Sequence, residues 1–359
     1  MNYSEPVRRL PKEHLNTYGA QLDIIQQQLE LLDVRAPVEY ANGQMPLSTN
    51  LPILSDAERS QVGLIYKQSG NAAATKLGEH LVSGDIRQQR IDAWKDYLTR
   101  HPQARIMCWR GGQRSRTAQH WLHEIGCDVD RVDGGFKALR TLTLLILDAA
   151  EVDPRPWAIV GGRTGTQKTV VIRALDNSID LEGLANHRGS AFGAHATPQP
   201  TPITFEIALA CRYAVQTNPA LVLEDESRTI GRLALPLNLH ARMQTAPIAL
   251  IDAGLEQRIA HIEREYVTEP MDDGVASQHL ENRLCEALGK ISRRLGGVRH
   301  HDLARQLRAA FAGSASHSAW IKSLLVEYYD PMYDYQLKNK QERVAFRGSR
   351  EEVLEYLRT

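Results

Sequence analysis

The sequence has little cysteine. Its four residues, Cys108, Cys127, Cys211 and Cys285, lie far apart and form no CxxC pair. That argues against a disulfide framework and against a zinc site, and it fits a reducing cytoplasm. Net charge is also missing: 43 basic residues stand against 43 acidic ones. No global field advertises a polyanionic partner, so any nucleic-acid surface must be a local patch. The polar stretch Met1 to Pro11 holds no apolar signal core, and an apolar run such as Leu142 to Leu147 is far too short to span a bilayer. His300-His301 lacks the four-residue spacing of helical metal ligands, and no metal site is expected. What remains is a cytoplasmic chain of 359 residues with no membrane partner, long enough for two or three domains.

The stretch Cys108-Trp109-Arg110-Gly111-Gly112-Gln113-Arg114-Ser115 is the densest in chemistry. Ala104 to Met107 reads as a short buried strand before it, and Thr117 to Leu122 has helical spacing after it. A cysteine on such a strand-to-helix loop faces helix N-terminal N–H groups, and with Arg110 and Arg114 nearby the thiolate is favoured. Cys108 is therefore read as a nucleophile. The competing reading is an inert buried cysteine beside a glycine turn. Upstream, Leu29 to Arg35 reads as a strand, Asn42-Gly43 marks loop, and Ser55 with Glu58 forms a capping box for a long helix. Ile91, Trp94 and Leu98 share a face of a second helix that stops near Pro102.

Trp157 to Val160 reads as a buried strand running into Gly161-Gly162-Arg163-Thr164-Gly165-Thr166-Gln167-Lys168-Thr169. Strand, glycine-rich loop, Lys-Thr and helix is the layout of a phosphate-binding P-loop. Gly162 and Gly165 shape the cradle, Lys168 supplies charge and Thr169 is a candidate Mg²⁺ ligand. One position departs from the pattern: Gln167 stands where glycine is expected. Pro219 to Leu223 reads as a second strand delivering Glu224, Asp225 and Glu226, the carboxylates such a site needs, and Pro247 to Asp252 as a third. Between the first two strands, His187 and Arg188 sit in Asn186-His187-Arg188-Gly189-Ser190, expected to be a flexible substrate loop. Arg140, Arg188, Arg228 and Arg293 are candidates for tracking phosphates. Tyr328, Tyr329, Tyr333 and Tyr335 suit either base stacking or packing between helix and sheet, with packing preferred.

Asp33-Val34-Arg35, Gly43-Gln44-Met45-Pro46, the Cys108 loop and Gly134-Gly135 together resemble a rhodanese domain. The narrower spelling Cys-Trp-Arg-Gly-Gly-x-Arg-Ser resembles the bacterial tRNA 2-selenouridine synthase family, in which a rhodanese domain is fused to a P-loop domain. Leu54-Ser55-Asp56, Tyr66-Lys67-Gln68, Asn186 to Gly193, Glu224 to Gly231 and Tyr329 to Tyr335 extend the likeness in order over residues 30 to 336.

That resemblance implies an N-terminal rhodanese-like open α/β domain (1–140), a linker helix (141–155), a P-loop-type parallel-sheet domain (156–254) and a helical C-terminal region (255–359). It implies a transferase that converts 2-thiouridine at the tRNA wobble position to 2-selenouridine through an S-geranylated intermediate. Its co-substrates would be selenophosphate and geranyl diphosphate, with no tightly bound cofactor and Mg²⁺ as a candidate ion. Its partners would be the tRNA and the enzyme supplying selenophosphate. Cys108 would accept selenium or assist addition, with Arg110 and Arg114 holding the anionic donor and Gly111 and Gly112 giving N–H groups. Gly162, Gly165, Lys168, Thr169, Glu224, Asp225, Glu226, His187 and Arg188 would bind the diphosphate. The alternatives are a thiosulfate-type sulfurtransferase with a regulatory P-loop domain, and a nucleotide-dependent RNA-binding protein with an inert rhodanese fold.

Overall fold

The computed structural model describes residue 7 and residues 10–359, so most of the Met1 to Pro11 lead lies outside the described residues. The chain separates into two units. One holds the residues up to Asp153 together with Pro200–Gln216, the other Pro154–Gln199 together with Thr217–Thr359. Among the described residues no helix is long and apolar enough to cross a membrane.

In the first unit, β1 (Leu31–Asp33), β2 (Ser48–Asn50) and β3 (Arg105–Met107) pair in parallel in the order β2-β1-β3. Leu32 is level with Ile106, and both pack against Trp94, Trp121 and Leu122 from the crossover helices Gly84–Arg100 and Gln113–Glu124. Parallel strands require such crossovers, which is why this sheet is layered with helices. The long helix Asp56–Leu81 starts as its sequence dictates. Ser55 Oγ accepts the Glu58 N–H at 3.3 Å while Glu58 Oε2 accepts the Ser55 N–H at 2.7 Å.

The division of the chain differs from the sequence expectation. Helix Gly135–Asp148 is not a linker, because Phe136, Leu139, Leu142 and Ile146 recur at helical spacing and are all buried. It packs on Lys12–Gln26 and on Pro202–Ala214, which returns to the first unit. The return is anchored where Thr201 Oγ1 donates to the Asn42 carbonyl at 3.0 Å and the Gln44 N–H donates to Thr204 Oγ1 at 3.2 Å.

The second unit is built on five parallel strands: β4 (Trp157–Gly162), β5 (Ser178–Ile179), β6 (Leu221–Glu224), β9 (Ile248–Ile251) and β10 (Val344–Gly348). Between β6 and β9 the short strands β7 (Thr229–Ile230) and β8 (Leu233–Ala234) form a separate antiparallel pair. The order β10-β9-β4-β6-β5 puts β4 in the centre: the chain passes from it to the edge strand β5, returns to β6, then crosses to β9 and outward to β10. That reversal opens a crevice beyond the C-terminal end of β4. The C-terminal helices form their own core around Leu280, Leu284, Leu303, Leu307 and Trp320. They do not stand as a separate helical region, since the chain then returns to supply the edge strand β10.

Candidate functional site

In the first unit the C-terminal ends of β1 and β3 deliver the chemistry. Asp33 and Arg35 are fully buried, and Asp33 Oδ2 accepts from Arg35 Nη2 at 2.7 Å. Arg35 Nη2 also donates to the Gly43 carbonyl at 2.8 Å, and its guanidinium lies 3.8 Å from the centre of the Phe136 ring. Burial pushes the Asp33 carboxyl up while Arg35 pulls it down, and the net is a rise. This pair is a structural brace: removing one partner would strand a buried charge at a cost of about 3–5 kcal/mol.

Cys108 follows β3 and is 3% exposed. Its Sγ donates to Ser115 Oγ at 3.3 Å, and Ser115 Oγ donates to the Gly112 carbonyl at 3.2 Å. The loop around it is tightly folded. Gly111 has φ +62°, and a Cβ there would come within 2.8 Å of the Val132 carbonyl, so no other residue fits without a shift. The Gly111 carbonyl accepts from Arg131 Nη1 at 2.9 Å, and Gly112 caps helix Gln113–Glu124. Cys108 lines a cleft of about 850 Å³ with Glu39, Arg59, Lys67, Arg110 and Arg114.

The two arginines differ. Arg110 is exposed at the cleft. Arg114 is already engaged, its guanidinium meeting Glu39 Oε2 at 2.5 Å and Oε1 at 3.1 Å. Burial works against that charge, but Glu39 outweighs it and holds the Arg114 pKa above its ordinary value. Arg114 is thus not an unpaired anion clamp as expected, because Glu39 neutralises it. Glu39 itself lies 75 residues away and was not foreseen.

In the second unit, loop 161–169 leaves the end of β4 in the crevice. Lys168 Nζ folds back on the Gly162 carbonyl at 3.0 Å. Gly165 has φ +86°, and a Cβ there would lie 3.0 Å from the Arg258 carbonyl, so this turn needs glycine. Gln167 takes the left-handed conformation, φ +63° and ψ +38°. Its side chain is held at both ends: Nε2 lies 3.0 Å from His261 Nδ1, and Oε1 accepts from Arg350.

Two carboxylates one helical turn apart brace the loop from outside. Asp330 receives Arg258 at 2.6 and 3.1 Å, and Arg258 Nε donates to the Thr164 carbonyl at 3.0 Å. Asp334 receives Arg163 Nη2 at 2.6 and 2.8 Å. The tyrosine-rich segment therefore acts here through its aspartates. Tyr329 is buried in the helical core, while Tyr335 is 71% exposed.

Facing Thr169 is an acidic group. Thr169 Oγ1 donates to Glu182 Oε2 at 3.1 Å. Glu182 is hydrogen-bonded to Glu226. Glu224, the last residue of β6, accepts the Leu181 N–H at 2.8 Å through Oε2, while its Oε1 is buried without a hydrogen bond. Burial first, then Glu182, pushes the Glu226 carboxyl up to about 8. Burial also raises Glu224 well above its ordinary value. Which of the three acids faces the loop could not be read from the sequence; Asp225 points elsewhere and pairs with Lys340 at 2.6 Å, as alternation along extended backbone requires. Glu182 takes its place. No sequence signal marked it, because it follows a strand of two residues.

The segment 186–193 is folded rather than open. The Arg188 N–H donates to the Gly193 carbonyl at 2.9 Å and the Gly193 N–H to the Ser190 carbonyl at 2.9 Å. Gly189 lies against the acids: a Cβ there would come within 2.6 Å of Glu182 and 2.9 Å of Glu226. His187 is buried, with Nδ1 making no hydrogen bond. Arg188 is committed to Glu265 at 2.6 Å and lies over the Tyr266 ring. Arg140, in the first unit, is likewise paired with Glu206.

A central parallel strand feeding a Gly-rich Lys-Thr loop, with acids delivered by the neighbouring strands, defines a P-loop-type α/β protein. Here it is joined in one chain to a second α/β unit bearing a loop cysteine. The profile of the tRNA 2-selenouridine synthase AAA domain matches residues 155–359. Relatives named tRNA 2-selenouridine synthase extend the likeness to nearly the whole chain. That of Marinobacter nauticus is 43% identical, covering 94% of this chain and 96% of its own. That of Azotobacter vinelandii is 46% identical over 91% and 93%, and that of Hydrogenovibrio crunogenus 40% over 93% and 96%. The chain belongs to the tRNA 2-selenouridine synthase family.

Proposed function

We propose that this chain replaces the 2-thio sulfur of a tRNA wobble uridine by selenium in two steps, one in each unit. The first unit is read as rhodanese-like. What supports the reading most is the pairing, in one member of this family, of a strand-end thiol with a strand-end P-loop.

In the first step the thio sulfur attacks C1 of geranyl diphosphate. The C–O bond breaks, a C–S bond forms, diphosphate leaves and the base loses a proton. Loop 161–169 would hold the departing diphosphate with its N–H groups and Lys168. Selenophosphate and geranyl diphosphate act as co-substrates, supplied by other enzymes.

Mg²⁺ fits the same site. Thr169, Glu182 and Glu226 offer hard oxygen donors, and Glu224 Oε1 is a buried acceptor with no partner. Among the described residues no three His, Cys, Asp or Glu side chains converge as a metal cage. Mg²⁺ at phosphates needs only one or two carboxylates beside phosphate oxygens. Thr169 with Glu182 or Glu226 would hold it, and when bound it would offset the charge of the leaving diphosphate.

In the second step Cys108 Sγ adds to C2 of the alkylated base, the C–S bond breaks and geranyl thiol departs with a proton. Selenium of selenophosphate then displaces Cys108, and water splits the Se–P bond to leave phosphate. This addition role needs no oxidant. Ser115 holds the resting thiol, and Arg110 attracts the anionic donor.

Mass spectrometry of nucleosides tests the reading, after 2-thiouridine tRNA is incubated with both co-substrates. Selenouridine is expected with the wild type and absent with Cys108→Ala. Equal selenouridine from both proteins would remove Cys108 from the mechanism. Rapid thiosulfate consumption with untouched tRNA would favour a sulfurtransferase.

A further inference from the structure

Helix Ser277–Leu295 buries one side in the second unit, where Leu280, Leu284, Leu288, Ile291 and Leu295 join the helical core. Arg283, Lys290 and Arg294 are seven and four residues apart, so they share one flank of it, with Arg293 beside them. Lys290, Arg293 and Arg294 are exposed and Arg283 is half-buried. Among the described residues none of the four forms an ion pair, and Glu286, one turn before Lys290, does not reach it. Other arginines of this unit are engaged: Arg163 by Asp334, Arg188 by Glu265 and Arg258 by Asp330. In a chain of zero formal net charge, four cations left free along one helix make a local positive field.

That field reaches the segment beside the acids. Burial first, then Lys290 and Arg188, lowers His187 below its ordinary value. Burial with Arg188, His187 and Arg283 does the same to His195, against the pull of Glu265. Gly189 of this segment lies against Glu182 and Glu226. One short stretch of chain therefore separates the basic flank from the acid group that faces Thr169.

We infer that this flank is where the tRNA backbone docks on the second unit, its phosphates lying along Arg283, Lys290, Arg293 and Arg294. From Arg283 to Arg294 the helix rises about 16 Å, a length over which a strand bearing a charge about every 3.4 Å presents several phosphates. Exposed cations on flexible stems suit contacts that hold RNA in register without reading its bases. A lipid surface fits less well, because the apolar face of this helix is buried in the core and has nothing to insert. The inference rests on tRNA being the substrate and on neither chemical step above. It adds the surface that holds the RNA beside the phosphate loop.

The test measures binding of 2-thiouridine tRNA to the full chain by fluorescence anisotropy across a salt series. Lys290→Gln, Arg293→Gln and Arg294→Gln combined, all at exposed positions, should weaken binding about tenfold or more at about 50 mM salt. The same variant should flatten the slope of log affinity against log salt by about two to three. Lys290→Arg with Arg293→Lys and Arg294→Lys should keep the wild-type affinity and slope. A control takes the same charge from the ion-paired Arg264, Arg305 and Lys322, each to Gln, and should change the slope by less than about one. A control that loses as much as the helix variant would mean that net charge alone is at work, which overturns the flank as a site. An unchanged slope in a folded helix variant overturns it as well. A wild type that binds no tRNA overturns the reading of tRNA as substrate, and the flank with it.

Discussion

The two strand-end loops are alike in backbone and opposite in surroundings. Each leaves a parallel strand, turns on a glycine with positive φ and enters a helix. At the Cys108 loop the nearby charges are settled in advance: Asp33 holds Arg35, and Glu39 holds Arg114. The loop is left with a thiol, the exposed Arg110 and the cleft they share. At loop 161–169 the charges are unsettled. Glu182 and Glu226 are in hydrogen-bond contact, and the nearby Glu224 keeps an unpartnered oxygen. A paired site suits chemistry on carbon and sulfur. An unpaired acidic one stores electrostatic cost that a cation or a ligand releases. The loop shape alone does not assign the chemistry; the residues arriving from neighbouring strands do.

Exchanging one half at a time tests this contrast with the largest effect. Lys168→Ala should slow geranyl diphosphate consumption on the order of a hundredfold or more, yet still selenate tRNA that is already S-geranylated. Cys108→Ala should do the reverse, alkylating tRNA normally while losing selenation on the order of a thousandfold. Mixing the two variants should restore selenouridine, because released S-geranyl tRNA passes from one protein to the other. A single variant that abolished both half-reactions with its fold intact would mean that the loops form one inseparable site.

Acidity gives the next largest effect. The folded value of Glu226, about 8, lies above its ordinary 4.5, chiefly through burial. The native state therefore keeps a proton that the unfolded chain has lost, and stability must fall as pH rises from about 4.5 to about 8. Thermal melts should show a decline worth on the order of a few kcal/mol across that window, and Glu226→Gln should flatten it. Mg²⁺ should recover more stability at pH 8 than at pH 6, because it competes with that proton. A pH-independent wild-type melt would show that Glu226 is already ionised. In the Cys108 unit the shifts oppose each other: burial leaves the Asp33 carboxyl above its ordinary value despite Arg35, and Glu39 is held below its ordinary value, with Arg114 overcoming burial.

Much of this was legible in the residues. The Ser55–Glu58 box, the strands before both loops and the Lys-Thr sequence announce themselves because each depends on neighbours within about four positions. What was hidden depends on distance. Glu39 meets Arg114 across the fold, and Glu182 is brought to Thr169 by a two-residue strand with no pattern to read. Helix Gly135–Asp148 did carry its signal, an apolar face at 136, 139, 142 and 146, which identifies a core helix rather than a linker. In Tyr329 to Tyr335 the aromatic rings dominate the sequence, while Asp330 and Asp334, four apart on one face, are what grip the loop arginines.

Gln167 is the smallest and sharpest test of the comparison. Glycine at that position would relieve a left-handed residue by about 1 kcal/mol. It would also delete two hydrogen bonds worth about 0.5–1.5 kcal/mol each, those to His261 and to Arg350. The terms oppose each other, so Gln167→Gly should change stability by about 0–2 kcal/mol, most of it loss, in urea unfolding. Arg350→Ala keeps the strained backbone and removes one anchor worth about 0.5–1.5 kcal/mol, so the two variants should destabilise to a similar extent. If Gln167→Gly instead stabilises the protein and tightens diphosphate binding, glutamine is a blemish in the cradle. If binding weakens although strain is relieved, the side chain is what holds the loop in shape, and a third element, the helix beginning at Arg350, belongs to the phosphate site.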